Sequence, residues 1–173
     1  MKKITAIILT GVIFLITAQL TTGQTLKFGH INTDELIRAM PEYDTALAKL
    51  NRLQKELTNT LELMQVELNN KIEAYNKESK LLSDLVRQTK EQEIADMNRR
   101  IQDFQLQAQS QLQEEQANLT RPIFEKVDKA IRDVGKEGGF IYIFDVANRQ
   151  LLYFDETKSV NVTAQVKAKL GLK

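Results

Sequence analysis

His30 is the only histidine in the chain, so it is the first residue to consider for catalysis or metal binding. A catalytic base or a metal ligand needs partner side chains, and no neighbour of His30 in the sequence lies at a suitable spacing. The chain has no cysteine, which excludes thiol catalysis, thiolate metal sites and a disulfide framework. We therefore interpret His30 as a strand or surface residue and expect neither a metal site nor a cofactor.

The glycine-rich segment Gly135–Gly139 is the second candidate, because glycine-rich loops can bind phosphate groups. It follows a helical pattern instead of joining a strand to a helix, and Lys136 is not followed by Ser or Thr, so it does not fit a phosphate-binding loop. We interpret it as a helix terminator. The carboxylates are scattered among Lys and Gln residues, as on solvated helix faces. The sequence thus indicates no enzyme.

The stretch from Pro41 to Arg121 organises the chain, and it contains no further Pro and no Gly. Its apolar residues recur with a mean spacing of 3.5 residues, which is the period of a narrow coiled-coil seam. A seam this narrow needs a partner helix. The first run is Leu47, Leu50, Leu53, Leu57, Leu61, Met64, Leu68, Ile72, Tyr75 and Leu82, with Ser79 in the one gap; the second is Ile94, Met97, Ile101, Phe104, Ala108, Leu112 and Leu119.

The nearest partner for each run is the other run. The spacing changes midway between the two prolines of the chain, where Ser83 and Asp84 suit a helix N-terminus. This pattern favours an antiparallel helical hairpin over residues 41–122 with its tip near residues 80–85, and we expect the Ser83 hydroxyl to cap the second arm. The alternative is one continuous parallel coiled coil of about twice the length.

The two ends of the chain, residues 24–40 and 123–173, are predicted to form one small β body. Three segments have strand patterns: 26–31, 140–144 and 151–154. The last two are expected to pair as a hairpin, and the residues that follow them, 155–160, are expected to form a loop.

Pro122 is expected to kink or restart the helix where the hairpin meets the body. The predicted fold class is therefore α+β: a long antiparallel helical hairpin that projects from a small antiparallel β body. A three-stranded sheet of this size has exposed edges and little core, which oligomerisation would remedy. The pattern alone does not give the number of subunits.

The N-terminus has the three-part pattern of a secretory signal peptide over residues 1–23. Two lysines precede an apolar run of about 15 residues, Ile4 to Ala18, and a stretch of small and polar residues follows. Cleavage fits best before Gln24, and cleavage after Ala18 or an uncleaved membrane anchor are the alternatives. Without residues 1–23 the chain has a net charge of −1, and the hairpin carries −3, so we expect no nucleic-acid binding.

Four apolar residues of the hairpin fall away from the seam on a helical wheel: Leu63, Val66, Leu81 and Leu106. They cannot serve a two-helix contact. One interpretation is scattered surface leucines, which are common. The other is a sparse apolar lining that faces something else, and the wheel does not decide between them.

The chain resembles the Skp/OmpH family of periplasmic chaperones over nearly all of its length after residue 23. The resemblance depends on an ordered set of short segments, none of which is catalytic. They are Phe28 to Leu36, Met40 to Tyr43, the Glu/Gln-rich hairpin, Pro122 to Ile131, Gly139 to Asp145, and Asp155 to Leu172 with its Asn161-Val-Thr163 element.

This resemblance implies a homotrimer in which three β bodies assemble and three hairpins surround a cavity. The cavity holds unfolded outer-membrane proteins in the periplasm and prevents their aggregation without ATP. Leu63, Val66, Leu81 and Leu106 then become candidate client contacts. The alternative function is a structural or adaptor coiled-coil protein of the cell envelope.

The chain departs from the family in charge. Well-known members are strongly basic, whereas this chain is near neutral after residue 23 and its hairpin is acidic. Any contact with an anionic membrane is therefore expected to be weak, and client holding should depend less on salt than in a basic member.

Overall fold

A computed structural model describes residues 26–147 and 151–172. The predicted signal peptide lies outside the described residues. In chain order the elements are β1 (Phe28–Ile31), α1 (Thr33–Arg38), α2 (Pro41–Glu78), a 3-10 turn (Ser79–Leu81), α3 (Asp84–Gly138), β2 (Tyr142–Asp145), β3 (Ser159–Asn161) and α4 (Thr163–Lys169). Within these ranges, no helix is long and apolar enough to cross a membrane.

Helices α2 and α3 form the predicted antiparallel hairpin. The two predicted runs face each other and are at least partly covered along most of the seam, which is most deeply buried at Leu68, Met97 and Ile101. The chain reverses between Glu78 and Asp84, and Ser83 occupies the N-cap position of α3. The expectation that its hydroxyl caps the helix is wrong, because the Ser83 side chain makes no capping hydrogen bond. At this exposed tip the free N–H groups are open to water.

Pro122 lies inside α3, and the expectation that the helix restarts there is wrong. A proline inside a helix removes one backbone hydrogen bond and crowds the preceding turn, at a cost of roughly 3 kcal/mol. The next turns bury Ile123 and Val127, which are 4% and 3% exposed. This packing holds the helix together across the proline, so the arm and the helix of the body form one continuous helix.

The strands form one sheet in the order β2-β1-β3, and β1 pairs in parallel with both neighbours. The predicted antiparallel arrangement is therefore wrong. The reason is the length of the arms, since α3 has 55 residues and α2 has 38. The extra residues extend α3 about 25 Å beyond the start of α2, which returns the chain to the beginning of β1. There Ile141 N–H donates to the carbonyl of Lys27.

The segment Leu151–Phe154, predicted as a strand, is not a strand in the described residues. Its Phe154 ring packs against the ring of His30, with centroids 4.7 Å apart, instead of pairing its backbone with β2. The third strand is β3, which begins inside the stretch 155–160 predicted as a loop and ends one residue after it. Its pairing with β1 continues beyond the strand, because Val162 N–H donates to the carbonyl of His30.

The core of the body lies between one face of the sheet and helices α1, α3 and α4. Ile31 is 1% exposed, and Val162 and Val166 are fully buried where α4 packs back onto this layer. Asn32 caps the N-terminus of α1, because its side chain accepts a hydrogen bond from the N–H of Glu35. The base of α2 joins the same core through Ala46, so the hairpin and the body share one hydrophobic cluster.

Candidate functional site

All four apolar residues that were predicted to lie away from the seam are exposed. The exposed fractions are 71% for Leu63, 55% for Val66, 88% for Leu81 and 68% for Leu106. The seam residues beside them, such as Leu68 and Met97, are 4% and 2% exposed. The hairpin therefore already has its helix–helix contact, and these four side chains are free of it.

The structure brings three of the four to one level of the hairpin. Lys71 on α2 pairs with Glu93 on α3 at 3.2 Å, which fixes how the two arms are aligned. With this alignment Leu63, Val66 and Leu106 lie within about 12 Å of one another along the hairpin axis. They do not form a single patch, because Leu63 and Val66 lie on the outer side of α2 and Leu106 on the outer side of α3.

The fourth residue, Leu81, lies at the tip with two exposed residues that the sequence analysis missed. Leu85 is 75% exposed and Val86 is 43% exposed, both in the first turn of α3. The change of spacing at the midpoint could have identified them, because neither belongs to either seam run. The tip surface is thus Leu81, Leu85 and Val86.

The sheet carries a second exposed apolar surface, on the face turned away from α3. Tyr142 stacks between two aromatic rings, with ring centroids 6.3 Å from Phe28 and 5.7 Å from Phe144. Tyr142 is 59% exposed and Phe144 38%. Two further apolar residues of the body, Leu152 and Tyr153, are 95% and 82% exposed. We call the stacked residues Phe28, Tyr142 and Phe144 the aromatic face.

His30 lies on the same side of the sheet as the aromatic face, and Asp145 does not orient its imidazole. Its Nδ1 is 2.9 Å from Ser159 Oγ, which at first suggests a Ser–His pair. The Asp145 carboxylate on β2 accepts hydrogen bonds from the N–H and hydroxyl of Thr33 and from the N–H of Ala147, so its oxygens cap a turn rather than orient the imidazole. Among the described residues no acidic or histidine group could hold a metal ion.

The concave surfaces are shallow grooves at the base of the hairpin and along it. One has a volume of about 360 Å³ and lies where α2 and α3 enter the body. In the wall of this groove, Lys126 Nζ donates a hydrogen bond to Glu42 at 2.7 Å, and this hydrogen bond lowers the pKa of Glu42. The groove is lined by Pro41, Glu42, Thr45, Ala46, Lys49, Leu119, Pro122, Ile123 and Lys126. These residues include no nucleophile paired with a base.

The chain matches known proteins over most of its length. An uncharacterized protein of Aquifex aeolicus is 31% identical over 143 residues, covering 82% of this chain and 83% of that protein. The chaperone protein Skp of Vibrio cholerae is 22% identical over 127 residues, 72% of this chain and 73% of that one.

The fold also has a solved counterpart in a crystal structure from Caulobacter crescentus, described as an OmpH-like outer membrane chaperone. It has a TM-score of 0.70 at 13% identity and covers 88% of each chain, so the likeness concerns the fold. The family model for outer membrane proteins of the OmpH-like type matches residues 27–170. The chain belongs to the OmpH-like family.

Proposed function

We propose that the chain is an ATP-independent holdase chaperone that binds unfolded outer-membrane proteins and prevents their aggregation. The observation that carries this proposal is the exposure of Leu63, Val66 and Leu106 on a hairpin whose seam is already filled. Apolar side chains spread along an exposed rod can contact many different unfolded segments, because apolar burial needs no fixed geometry. Membership of the OmpH-like family, with Skp among the relatives, supports the same role.

The proposed role needs no nucleotide, and the glycine-rich segment Gly135–Gly139 does not have the structure of a phosphate-binding loop. Gly139 has a φ of 66° and forms the C-cap of α3, where its N–H bonds the carbonyls of Gly135 and Lys136. Gly139 therefore ends a helix, as the sequence predicted for this segment, and the segment does not open a phosphate-binding loop.

We also propose that three copies assemble through the aromatic face. The exposed rings of Tyr142 and Phe144 form an apolar surface on a small sheet, and Leu152 and Tyr153 are further exposed apolar side chains of the body. Strands β2 and β3 are both edges of this sheet, and edge strands present unpaired backbone groups. Three-fold assembly would cover both features and would place the hairpins around a shared space, as the family resemblance implies.

The proposed location is the periplasm, after cleavage of residues 1–23. The support is the signal-peptide pattern of the sequence, together with the family of outer membrane proteins that the chain matches. Any binding to an anionic membrane is expected to be weak, because the exported chain has a net charge of −1.

The test is the solution mass of residues 24–173, alone and after dilution of a urea-unfolded β-barrel membrane protein into it. These residues include all those that the structure describes. A trimer that keeps the client soluble in a discrete complex is the expected result. If the client precipitates and the chain instead binds one folded envelope protein, the adaptor function replaces the holdase.

A further inference from the structure

The middle of the hairpin carries exposed acids without neighbouring cations in the sequence. Residues 56–70 of α2 contain three Glu and no Lys or Arg, and residues 101–120 of α3 contain one Asp, two Glu and no Lys or Arg. These two stretches overlap in level, because the alignment set by Lys71 and Glu93 brings residue 101 beside residue 63 or 64. Counted on α2, the overlap runs from residue 56 to about residue 64, which is the level of Leu63 and Leu106, and Val66 lies just beyond it, near the level of Arg99.

Three of these acids lie next to the exposed apolar residues. On α2, Glu62 lies four residues before Val66, and Glu67 lies four residues after Leu63. On α3, Asp103 lies three residues before Leu106. At such spacings helical side chains are neighbours on the surface. We call the apolar residues Leu63, Val66 and Leu106 with the acids Glu62, Glu67 and Asp103 the acidic belt.

In the part of the chain that the structure describes, no basic side chain pairs with the acids of the belt. Several carboxylates elsewhere on the hairpin do have partners: Asp84 is 2.6 Å from Arg87, Asp96 3.6 Å from Arg99, and Glu73 3.7 Å from Lys77. Across residues 26–147 and 151–172, no ion pair involves Glu62, Glu67 or Asp103, and all three are exposed. Their charge is therefore available to a binding partner.

The tip surface lies in a region of positive net charge. Residues 77–90 carry four cations and two acids, a net charge of +2, although the hairpin as a whole carries −3. Leu81 and Leu85 are as exposed as the apolar residues of the belt. The chain thus presents two apolar surfaces of similar chemistry, one flanked by negative charge and the other by positive charge.

We infer that the acidic belt binds unfolded segments that combine apolar with cationic side chains, in preference to anionic ones. This inference rests on the proposed holdase function and names the class of segment that the hairpin selects. Each exposed charge contributes little, but charges of one sign act together on an extended chain that passes several of them. The apolar contacts supply binding affinity that does not depend on charge. The acids add affinity for segments that carry cationic side chains.

The test uses two labelled peptides with the same apolar residues in the same order, one with Lys and the other with Glu at the intervening positions. Binding to residues 24–173 is followed by fluorescence anisotropy. The Lys peptide is expected to bind at least about fivefold more tightly at low salt. The difference should shrink at high salt, where the Debye length becomes shorter than the spacing between charges.

The decisive variant is Glu62→Lys with Glu67→Lys, which should abolish or reverse the preference for the Lys peptide. Its matched control is Glu78→Lys with Glu125→Lys, which changes the net charge equally at exposed positions outside the belt and should leave the preference unchanged. Lys and Glu have similar helix propensities, so both variants should keep the helicity of the parent.

The outcomes separate this inference from the proposed function. If neither peptide binds and unfolded clients precipitate, the holdase proposal fails. If both peptides bind equally, holdase activity stands and the charge preference is overturned. If the control variant changes the preference between the two peptides as much as the belt variant does, the preference comes from net charge. That result would also overturn the role of the belt.

Discussion

Lys126 of α3 donates a hydrogen bond from Nζ to Glu42 Oε1 of α2 over 2.7 Å, and this contact ties the two arms together at the base of the hairpin. The two residues are 84 positions apart in the sequence. Because the hydrogen bond favours the ionised carboxylate, it lowers the pKa of Glu42 below its ordinary value.

Replacing Lys126 with Met should therefore raise the pKa of Glu42, as measured by NMR titration of the side-chain carboxyl. A carboxylate whose pKa is lower in the folded than in the unfolded chain adds stability above the unfolded value, and that stability is lost as the pH falls through the folded value. Between neutral and acid pH, the free energy of unfolding of the variant should therefore fall slightly less than that of the parent. Lys55→Met is the control, since Lys55 lies on the hairpin away from Glu42. An unchanged Glu42 titration in the Lys126 variant would contradict the assignment.

Leu68→Ala should destabilise the hairpin by about 3 kcal/mol, because it leaves a cavity in the seam between the arms. Leu68 is 4% exposed and packs in one cluster with Met97 and Ile101. Leu63→Ala is the matched control, with the same chemical change on the same helix at a residue that is 71% exposed. It should alter stability by no more than about 0.5 kcal/mol. Urea unfolding followed by circular dichroism measures both, and equal losses would show that the seam has been placed on the wrong face.

Gly139→Ala should cost about 1 kcal/mol, because Gly139 has a φ of 66°, which an L-residue adopts only with strain. No neighbour lies within 4 Å of the added Cβ, so the cost comes from the backbone alone. Gly135→Ala is the comparison. It lies inside α3 with an ordinary 3.4 Å distance from its new Cβ to Ile143, so it should be neutral or stabilising. Thermal unfolding distinguishes the two, and a stabilised Gly139 variant would be inconsistent with the left-handed cap.

The helical hairpin could be predicted from the sequence because its determinants are local. The 3.5-residue spacing places Leu68 and Met97 in the seam, whether the partner helix belongs to the same chain or to another one. The wheel likewise separates Leu63 from the seam without reference to the rest of the fold. Exposure of these residues follows from that geometry, but what they bind does not.

The sheet was predicted less well because strand direction and pairing are not local properties. The continuous apolar run Leu151–Phe154 satisfies a strand pattern, yet its backbone pairs with no strand within the described part of the chain. The parallel pairing of Phe28 with Tyr142 depends on how far α3 extends past the start of α2. Pro122 suggested a break, and the burial of Ile123 after it prevents one.

Leu63→Ser with Leu106→Ser should weaken the holding of an unfolded β-barrel protein, measured by light scattering on dilution from urea. Both residues are exposed, so helicity and solution mass should stay at the values of the parent. Val66→Ser should act in the same direction, and Leu81→Ser tests whether the tip contributes. For comparison, Thr58→Ser with Thr60→Ser changes two exposed polar residues on the same helix and should leave holding intact. Full holding by the Leu63 and Leu106 variant would remove these residues from the client surface.

Tyr142→Ser with Phe144→Ser should convert the proposed trimer to a monomer, measured by sedimentation equilibrium. In a single chain these two rings are 59% and 38% exposed, so their loss should disturb the packing of the body far less than the contact between copies. Leu85→Ser with Val86→Ser removes comparable apolar side chains at the tip, far from the sheet, and should keep the mass of the parent. The body core on the other side of the sheet, around Ile31, stays intact in both variants, so circular dichroism should show folded chains. A trimer that survives the loss of both rings would show that the copies meet through a different surface.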